Sequence, residues 1–344
     1  MRIALDATYS VGEELSGIGV YSREIIGGLA RAFPQCEWLC CYRPHRLLRS
    51  LSLRFPPAAR RKLLTDKRSP AARLFHGLNQ RLPQVRYPRA LTTFHDLFVL
   101  TAEYSSPEFR ARFSAQARAA ADSSDLIVCV SRFTASQVVD LLDVPAGRTR
   151  VIHHGVRFPL ADASAASSGR EPIVLTVSAI QHRKNTLRLI EAFERTPPGW
   201  RLVLVGSSGY GAEAVYRHLE QSRRRADIEL TGYVSDAQLL DLYRRAAIFA
   251  FPSLDEGFGM PVLEAMACGA PVLASNVSAL PEVCGDAALL VDPRSADEIA
   301  GGLTRLMESE SLRADLCVRG LVRASQFTWE ASVRKTWEVY QELL

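Results

Sequence analysis

Motifs that announce several common chemistries are missing from this sequence. It has no Gly-x-x-x-x-Gly-Lys-Ser/Thr, which excludes a P-loop nucleotide hydrolase, and no Gly-x-Ser-x-Gly, which leaves a hydrolase elbow without a candidate. No Asp-x-Asp occurs, so the usual carboxylate clamp for a metal-bound nucleotide sugar is absent. There is no Cys-x-x-Cys, and the seven cysteines, an odd number, sit mostly in apolar stretches such as Cys36-Glu-Trp-Leu-Cys-Cys41 and Leu126-Ile-Val-Cys-Val130. Free buried thiols in a reducing compartment are therefore expected, rather than a disulfide frame or a zinc site. No apolar run approaches the length of a bilayer, and Asp6 comes too early for a secretory signal, which points to a cytoplasmic chain.

What the sequence does have is an alternation of strand and helix patterns from one end to the other. Its 344 residues are 47% hydrophobic, enough for two domains with their own cores. Apolar or β-branched runs predict strands at Arg2–Leu5, Trp38–Cys41, Leu91–Phe94, Leu126–Val130 and Thr149–Ile152, with helices over Val20–Phe33, Pro107–Ala121 and Arg132–Leu142. The small, polar Asp162–Gly169 interrupts this pattern and reads as a connector. A second series follows, with strands at Ile173–Val177, Leu202–Val205, Ile228–Leu230, Ile248–Phe251, Val272–Ala274 and Ala288–Val291. Ser235-Asp-Ala-Gln238 is a capping box opening a helix that runs to about Arg245, and Trp329, Val333, Trp337 and Tyr340 share one face of a terminal helix. The expected organisation is α/β throughout: a doubly wound domain over residues 1–161, a linker over 162–171, a second doubly wound domain over 172–327, and a helix over 328–344 packing back on the first. In such sheets ligands bind beyond the carboxyl ends of the strands, and the cleft between two such domains is the default site.

The net charge of +5 hides an asymmetry. Between Arg43 and Arg89 there are thirteen Lys or Arg and one acid, Asp66, so the rest of the chain is net acidic. Leu47, Leu48, Leu51, Leu53, Phe55, Leu63 and Leu64 are interleaved with that charge. The mixture suits the headgroups and outer acyl region of an anionic membrane, each basic residue contributing roughly 1 kcal/mol near the surface. The alternative is a basic loop with no partner. Aromatic platforms for nucleic acid are lacking.

Four stretches follow expected strands, where function belongs. In Asp255-Glu-Gly-Phe-Gly-Met-Pro-Val-Leu-Glu264 the first glutamate, Glu256, sits on a Gly-rich turn, Pro261 stands at a helix start, and Glu264 lies one turn into a helix that Gly269 stops. A turn of this kind offers backbone N–H groups to oxygen atoms, and the helix N-terminus favours a diphosphate. Arg183 and Lys184, at the entry to a helix over Thr186–Phe193, suit the same anion. His95, directly after Leu91–Phe94, can donate to a hydroxyl or phosphate. Gly17, in Ser16-Gly-Ile-Gly-Val-Tyr21, allows close backbone approach to a ligand, but the third glycine and the later acid of a dinucleotide fingerprint are missing.

Together these stretches resemble the retaining glycosyltransferases of family 4, and the resemblance spans almost the whole chain. It includes Phe75-His-Gly-Leu-Asn79, His95-Asp-Leu97, Val130-Ser-Arg-Phe-Thr134, Val151-Ile-His-His-Gly-Val156, Arg183-Lys-Asn185, Thr231-Gly-Tyr-Val-Ser-Asp236 and Phe251-Pro-Ser-Leu-Asp-Glu-Gly-Phe-Gly259. The two glutamates with seven residues between them, and the Arg-Lys pair, are the specific part. Ser178, His182 and His154 depart from the residues usual in the family. The resemblance implies a GT-B fold, two doubly wound Rossmann-like domains facing across a cleft. It implies transfer of a hexose from a nucleotide diphosphate sugar with retained configuration, with no metal and no separate cofactor. By it, Glu256 lies beside the donor sugar, Glu264 accepts from the ribose hydroxyls, and Arg183 and Lys184 hold the diphosphate. Gly257, Phe258, Gly259 and Met260 bind the donor, the glycines through their amides, while Gly17 approaches the diphosphate and His95 the transferring sugar. Similarity to bacterial mannosyltransferases of cell-surface polysaccharide assembly makes GDP-mannose the expected donor, with GDP-rhamnose, UDP-glucose and UDP-N-acetylhexosamines open. The expected acceptor is a lipid-linked or growing saccharide, reached at the inner face of the cell membrane. A glycoside phosphorylase or sugar-phosphate synthase, and a silent nucleotide-sugar-binding subunit, are the alternatives.

Overall fold

Among the described residues, seven strands form the first sheet: β1 Arg2–Asp6, β2 Glu37–Tyr42, β3 Ala59–Leu63, β4 Leu74–Gly77, β5 Arg89–Phe94, β6 Leu126–Cys129 and β7 Thr149–Val151. They pair in parallel in the order β3-β2-β1-β4-β5-β6-β7. Six form the second: β8 Glu171–Val177, β9 Arg201–Val205, β10 Ile228–Gly232, β11 Ala246–Phe251, β12 Val272–Ser275 and β13 Ala288–Val291, parallel in the order β10-β9-β8-β11-β12-β13. The structure is a computed structural model that describes residues 1–12, 15–53, 56–67, 70–162 and 169–344. One unit comprises Met1–Gly155 with Thr328–Leu344, the other Val156–Phe327. Residues 156–161, expected with the first unit, belong to the second, where the Ala161 amide donates to the Ala267 carbonyl at 2.7 Å. Residues 163–168 of the expected linker lie outside the described residues.

In the first unit, helix α1 (Gly17–Ala32) is capped by Ser16, whose hydroxyl accepts from the Gly19 amide. Across its buried face lies the helix Trp329–Leu343. Gly28 permits that approach, since a Cβ there would stand 2.4 Å from Val333 Cγ2. Phe33 stacks on Trp337 with centroids 4.1 Å apart. A buried chain of hydrogen bonds fixes the same helix: Tyr340 to His76 Nδ1 at 2.7 Å, His76 Nε2 to Thr93 at 2.8 Å, and Thr93 to Tyr21 at 2.8 Å. Each of these groups is fully buried and each is satisfied.

Strands β3 and β4 were not expected. Both lie in the basic segment, which the structure resolves into a short helix α2 (Pro44–Leu47), a 3₁₀ turn and these two strands. Strand β3, Ala-Arg-Arg-Lys-Leu, is the sheet edge, where exposed Arg60 and Lys62 discourage further strand addition. The expected apolar surface is correspondingly smaller. Leu64 is buried and Leu47 and Leu53 pack against the core, while Leu48 and Leu51 stand 78% and 66% exposed. Part of the charge also turns inward: Arg43 is buried and paired with Asp66 at 3.1 Å, and Arg61 donates to the Ser50 carbonyl. Arg54, Phe55 and Arg68 lie outside the described residues. No helix among the described residues is long and apolar enough to cross a membrane.

Candidate active site

The second sheet reverses its order between β8 and β11, so the loops leaving these neighbouring strands meet at the carboxyl edge. The loop after β8 makes a 3₁₀ turn, His182–Lys184, and enters the helix α3 (Thr186–Phe193) through Asn185. Asn185 is left-handed, φ 60°, a conformation that asparagine tolerates. Its side-chain amide donates to the carbonyls of Pro252 at 2.9 Å and Pro293 at 2.7 Å, tying the loop down to the end of β11. The Leu254 amide donates to the Arg183 carbonyl at 2.8 Å, closing the same gap.

That framework brings three charged groups together. Lys184 Nζ stands 2.5 Å from Glu256 Oε1, and Arg183 Nη1 lies 3.4 Å from Glu256 Oε2 and donates to the Asp255 carbonyl at 2.7 Å. Lys184 also sits over the Phe251 ring, 5.2 Å from its centroid. Glu256 and Arg183 are buried. Burial pushes the Glu256 carboxyl upward, but Lys184 and Arg183 outweigh it and hold the group below its usual range, hence ionised.

The turn after Glu256 runs through buried Gly257, Phe258 and Gly259 into the helix α4 (Met260–Ala267), with Pro261 in its first turn. Gly259 has φ 103°, and a Cβ there would lie 2.6 Å from Leu280 Cδ2, so both conformation and space require glycine. The Phe258 side chain packs edge-on against Phe327, centroids 6.0 Å apart, and is turned into the core. Ser278 accepts from the Glu256 amide at 3.2 Å and steadies the turn.

Glu264, in the second turn of α4, is buried and engaged at both oxygens. The Tyr243 hydroxyl, from the helix α5 (Asp236–Arg245), donates to Oε2 at 3.0 Å, and Arg157 Nε lies 3.1 Å from Oε1. Burial pushes this carboxyl above its usual range, with Arg157 and the Tyr243 bond pulling against it. Neither Arg157 nor Tyr243 announced itself in the sequence, because no local pattern links them to Glu264.

The remaining expected residues lie in the first unit. Gly17 is exposed at the start of α1. His95 is buried, with Nε2 2.9 Å from the Leu78 carbonyl, and its ring lies edge-on to Tyr21 at 4.8 Å and stacks on His154 at 5.5 Å. Burial lowers its pKa to about 4, so the imidazole is neutral. The bond to Leu78 places the proton on Nε2 and leaves Nδ1 to accept.

Two family profiles match the chain: "Glycosyltransferase Family 4" over residues 15–158 and "Glycosyl transferases group 1" over residues 159–320. The chain is similar to O-antigen chain mannosyltransferase B of Escherichia coli, 35% identical over 284 residues that cover 78% of this chain and 74% of the relative. It is also similar to the serotype-specific mannosyltransferase WbdA of Escherichia coli, 30% identical across 73% of this chain, but it spans only 33% of that longer protein. Among solved structures, sucrose-phosphate synthase from Thermosynechococcus elongatus superposes with a TM-score of 0.80 at 24% identity, covering 99% of this chain and 98% of the other.

Proposed function

The chain belongs to the glycosyltransferases of group 1 and family 4 and has their two-domain GT-B fold, and from that membership we propose that it transfers a hexose, mannose from GDP-mannose, to a growing or lipid-linked saccharide of a bacterial surface polysaccharide. The gathering of Arg183 and Lys184 on buried Glu256, beside the N-terminal end of α4, is the observation that carries the proposal. Departure of a nucleoside diphosphate puts negative charge on the leaving oxygen. Preorganised cations and a helix N-terminus stabilise that charge with little reorganisation. An ammonium with three donors and a guanidinium with five can each hold several partners at once, so the grip on Glu256 is compatible with a phosphate contact. Glu256, held ionised, stabilises positive charge at the sugar carbon. Transfer then proceeds on the face that the phosphate leaves, with retained configuration and with the two side chains doing the work of a metal. His95 accepts from a hydroxyl of the sugar through Nδ1, and Gly17 lets backbone approach the diphosphate.

Mannose is favoured by the named activity of the two Escherichia coli relatives. A lipid-linked acceptor is favoured by the exposed Leu48 and Leu51 with Arg49, Arg60 and Lys62 nearby in sequence or on the neighbouring edge strand, a surface suited to anionic headgroups. The test is thermal shift with GDP, UDP and ADP followed by a transfer assay with the matching sugar nucleotide. Stabilisation by GDP alone and transfer from GDP-mannose support the reading. Preference for UDP overturns the donor, release of a soluble sugar phosphate favours the synthase or phosphorylase alternative, and binding without turnover favours a silent subunit. Flotation with anionic and neutral vesicles checks the membrane surface, and equal recovery on both removes the electrostatic argument.

A further inference from the structure

The Glu264 carboxylate accepts one hydrogen bond from the protein, at Oε2 from the Tyr243 hydroxyl, while Oε1 stands 3.1 Å from Arg157 Nε as an ion pair. A carboxylate offers about four lone-pair sites in all. One site per oxygen therefore remains, side by side, which matches two adjacent hydroxyls such as the vicinal pair of a ribose. The geometry depends on Arg157, a residue with anchors of its own. Its Nη1 lies 3.0 Å from Asp236, the first residue of α5, and its guanidinium sits 4.4 Å over the Phe158 ring. Phe158 in turn packs on Tyr243, centroids 6.0 Å apart. Arg157, Tyr243 and Glu264 thus come from three separate segments of the second unit, and Arg157 pairs with Glu264 and Asp236 and reaches Tyr243 through the Phe158 ring.

We infer that Arg157 is a positioning residue for donor recognition: it orients Glu264 so that the carboxylate meets both ribose hydroxyls of the nucleotide. The inference rests on reading Glu264 as the ribose contact. Without Arg157 the buried carboxyl loses its only ion-pair partner among the described residues and shifts toward the protonated form, which donates a proton and no longer receives both hydroxyls. The neighbouring charges, Asp236 and Glu264, would also be left facing one another.

The experiment uses the full chain, the nucleoside diphosphate of the preferred base and its 2′,3′-dideoxy counterpart, with dissociation constants measured by calorimetry. In the parent, removing the hydroxyls is expected to weaken binding about tenfold or more, as expected for unpaired buried acceptors. Arg157→Met is expected to bind the intact nucleotide about tenfold more weakly and to lose less than threefold on removing the hydroxyls; Arg157→Lys restores part of the discrimination. In turnover the donor KM rises more than kcat falls. If Arg157→Met keeps the full parental penalty for the dideoxy nucleotide, Arg157 does not act through Glu264 and the inference is overturned. If the parent itself shows no penalty, the ribose role of Glu264 falls first and the inference with it. Should Arg157→Met fail to fold, Arg157→Lys and Asp236→Asn, which loosens the exposed anchor alone, read the same discrimination.

Discussion

At the scale of single residues, the site is an arrangement of charge held in place before any anion arrives. Removing Lys184 should weaken leaving-group stabilisation more than it weakens the fold, because Arg183 still faces Glu256. Lys184→Gln is expected to lower kcat about 100-fold to 1000-fold, the range for losing one preorganised donor, as measured by sugar transfer at saturating donor. Transfer at the parental rate would show that Lys184 does not meet developing charge. Arg183, Lys184, Glu256 and Glu264 were legible in the sequence because the turn chemistry around them is local: glycines, a proline at a helix start and paired cations after a strand. Arg157 and Tyr243 were not, since their meaning lies in a carboxylate brought to them by the fold. His95 was legible as a residue but its tautomer was not, because the Leu78 carbonyl that fixes it belongs to a different loop.

At the scale of elements, Gly259 is where a strained backbone position falls on the candidate site. Gly259→Ala must hold φ 103° and press a methyl group on Leu280, so a loss of about 1–3 kcal/mol is expected, read from the urea midpoint. A weaker donor affinity should accompany it, as the Gly257–Met260 turn shifts. The capping box of α5 is seen in both directions, Ser235 to the Gln238 amide and Gln238 back to Ser235. Ser235→Ala is expected to cost about 1 kcal/mol. All six strands of the second sheet stand out as apolar runs because a parallel sheet with covered faces needs them. Strand β3 escaped because an edge strand lined with arginine and lysine carries no such run, and β4 because four residues inside a basic stretch are too short to show a period.

At the scale of the whole molecule, the first unit is built around neutral histidines. Burial lowers His76 to about 3 and His95 to about 4, and pushes His154 down as well, against an ordinary value near 6.5. Between those limits the unfolded chain binds more protons than the folded one, so stability is complete above about pH 6.5 and is lost as the pH falls toward 4. The slope is about 1.4 kcal/mol per pH unit for each histidine that stays neutral. Thermal denaturation across pH 7 to 4 should show the melting temperature falling, and His76→Asn should flatten the fall; a constant melting temperature would mean that the histidines charge in the folded state. All seven thiols are free and buried, and burial raises Cys40, Cys129, Cys268 and Cys284 to about 12. Thiol reagents should therefore label the native protein slowly and the denatured protein fully.

The helix Trp329–Leu343 belongs to the unit that opens the chain. A ribosome therefore delivers residues 1–155 long before the partner for Phe33, His76 and Val333's neighbour Gly28 has been polymerised, and the nascent first unit must wait, with an apolar groove uncovered, while Val156–Phe327 emerges. Translation order and folding order are thus uncoupled, and a premature stop near codon 328 should yield a product whose trailing half is native and whose leading half is prey to chaperones and proteases.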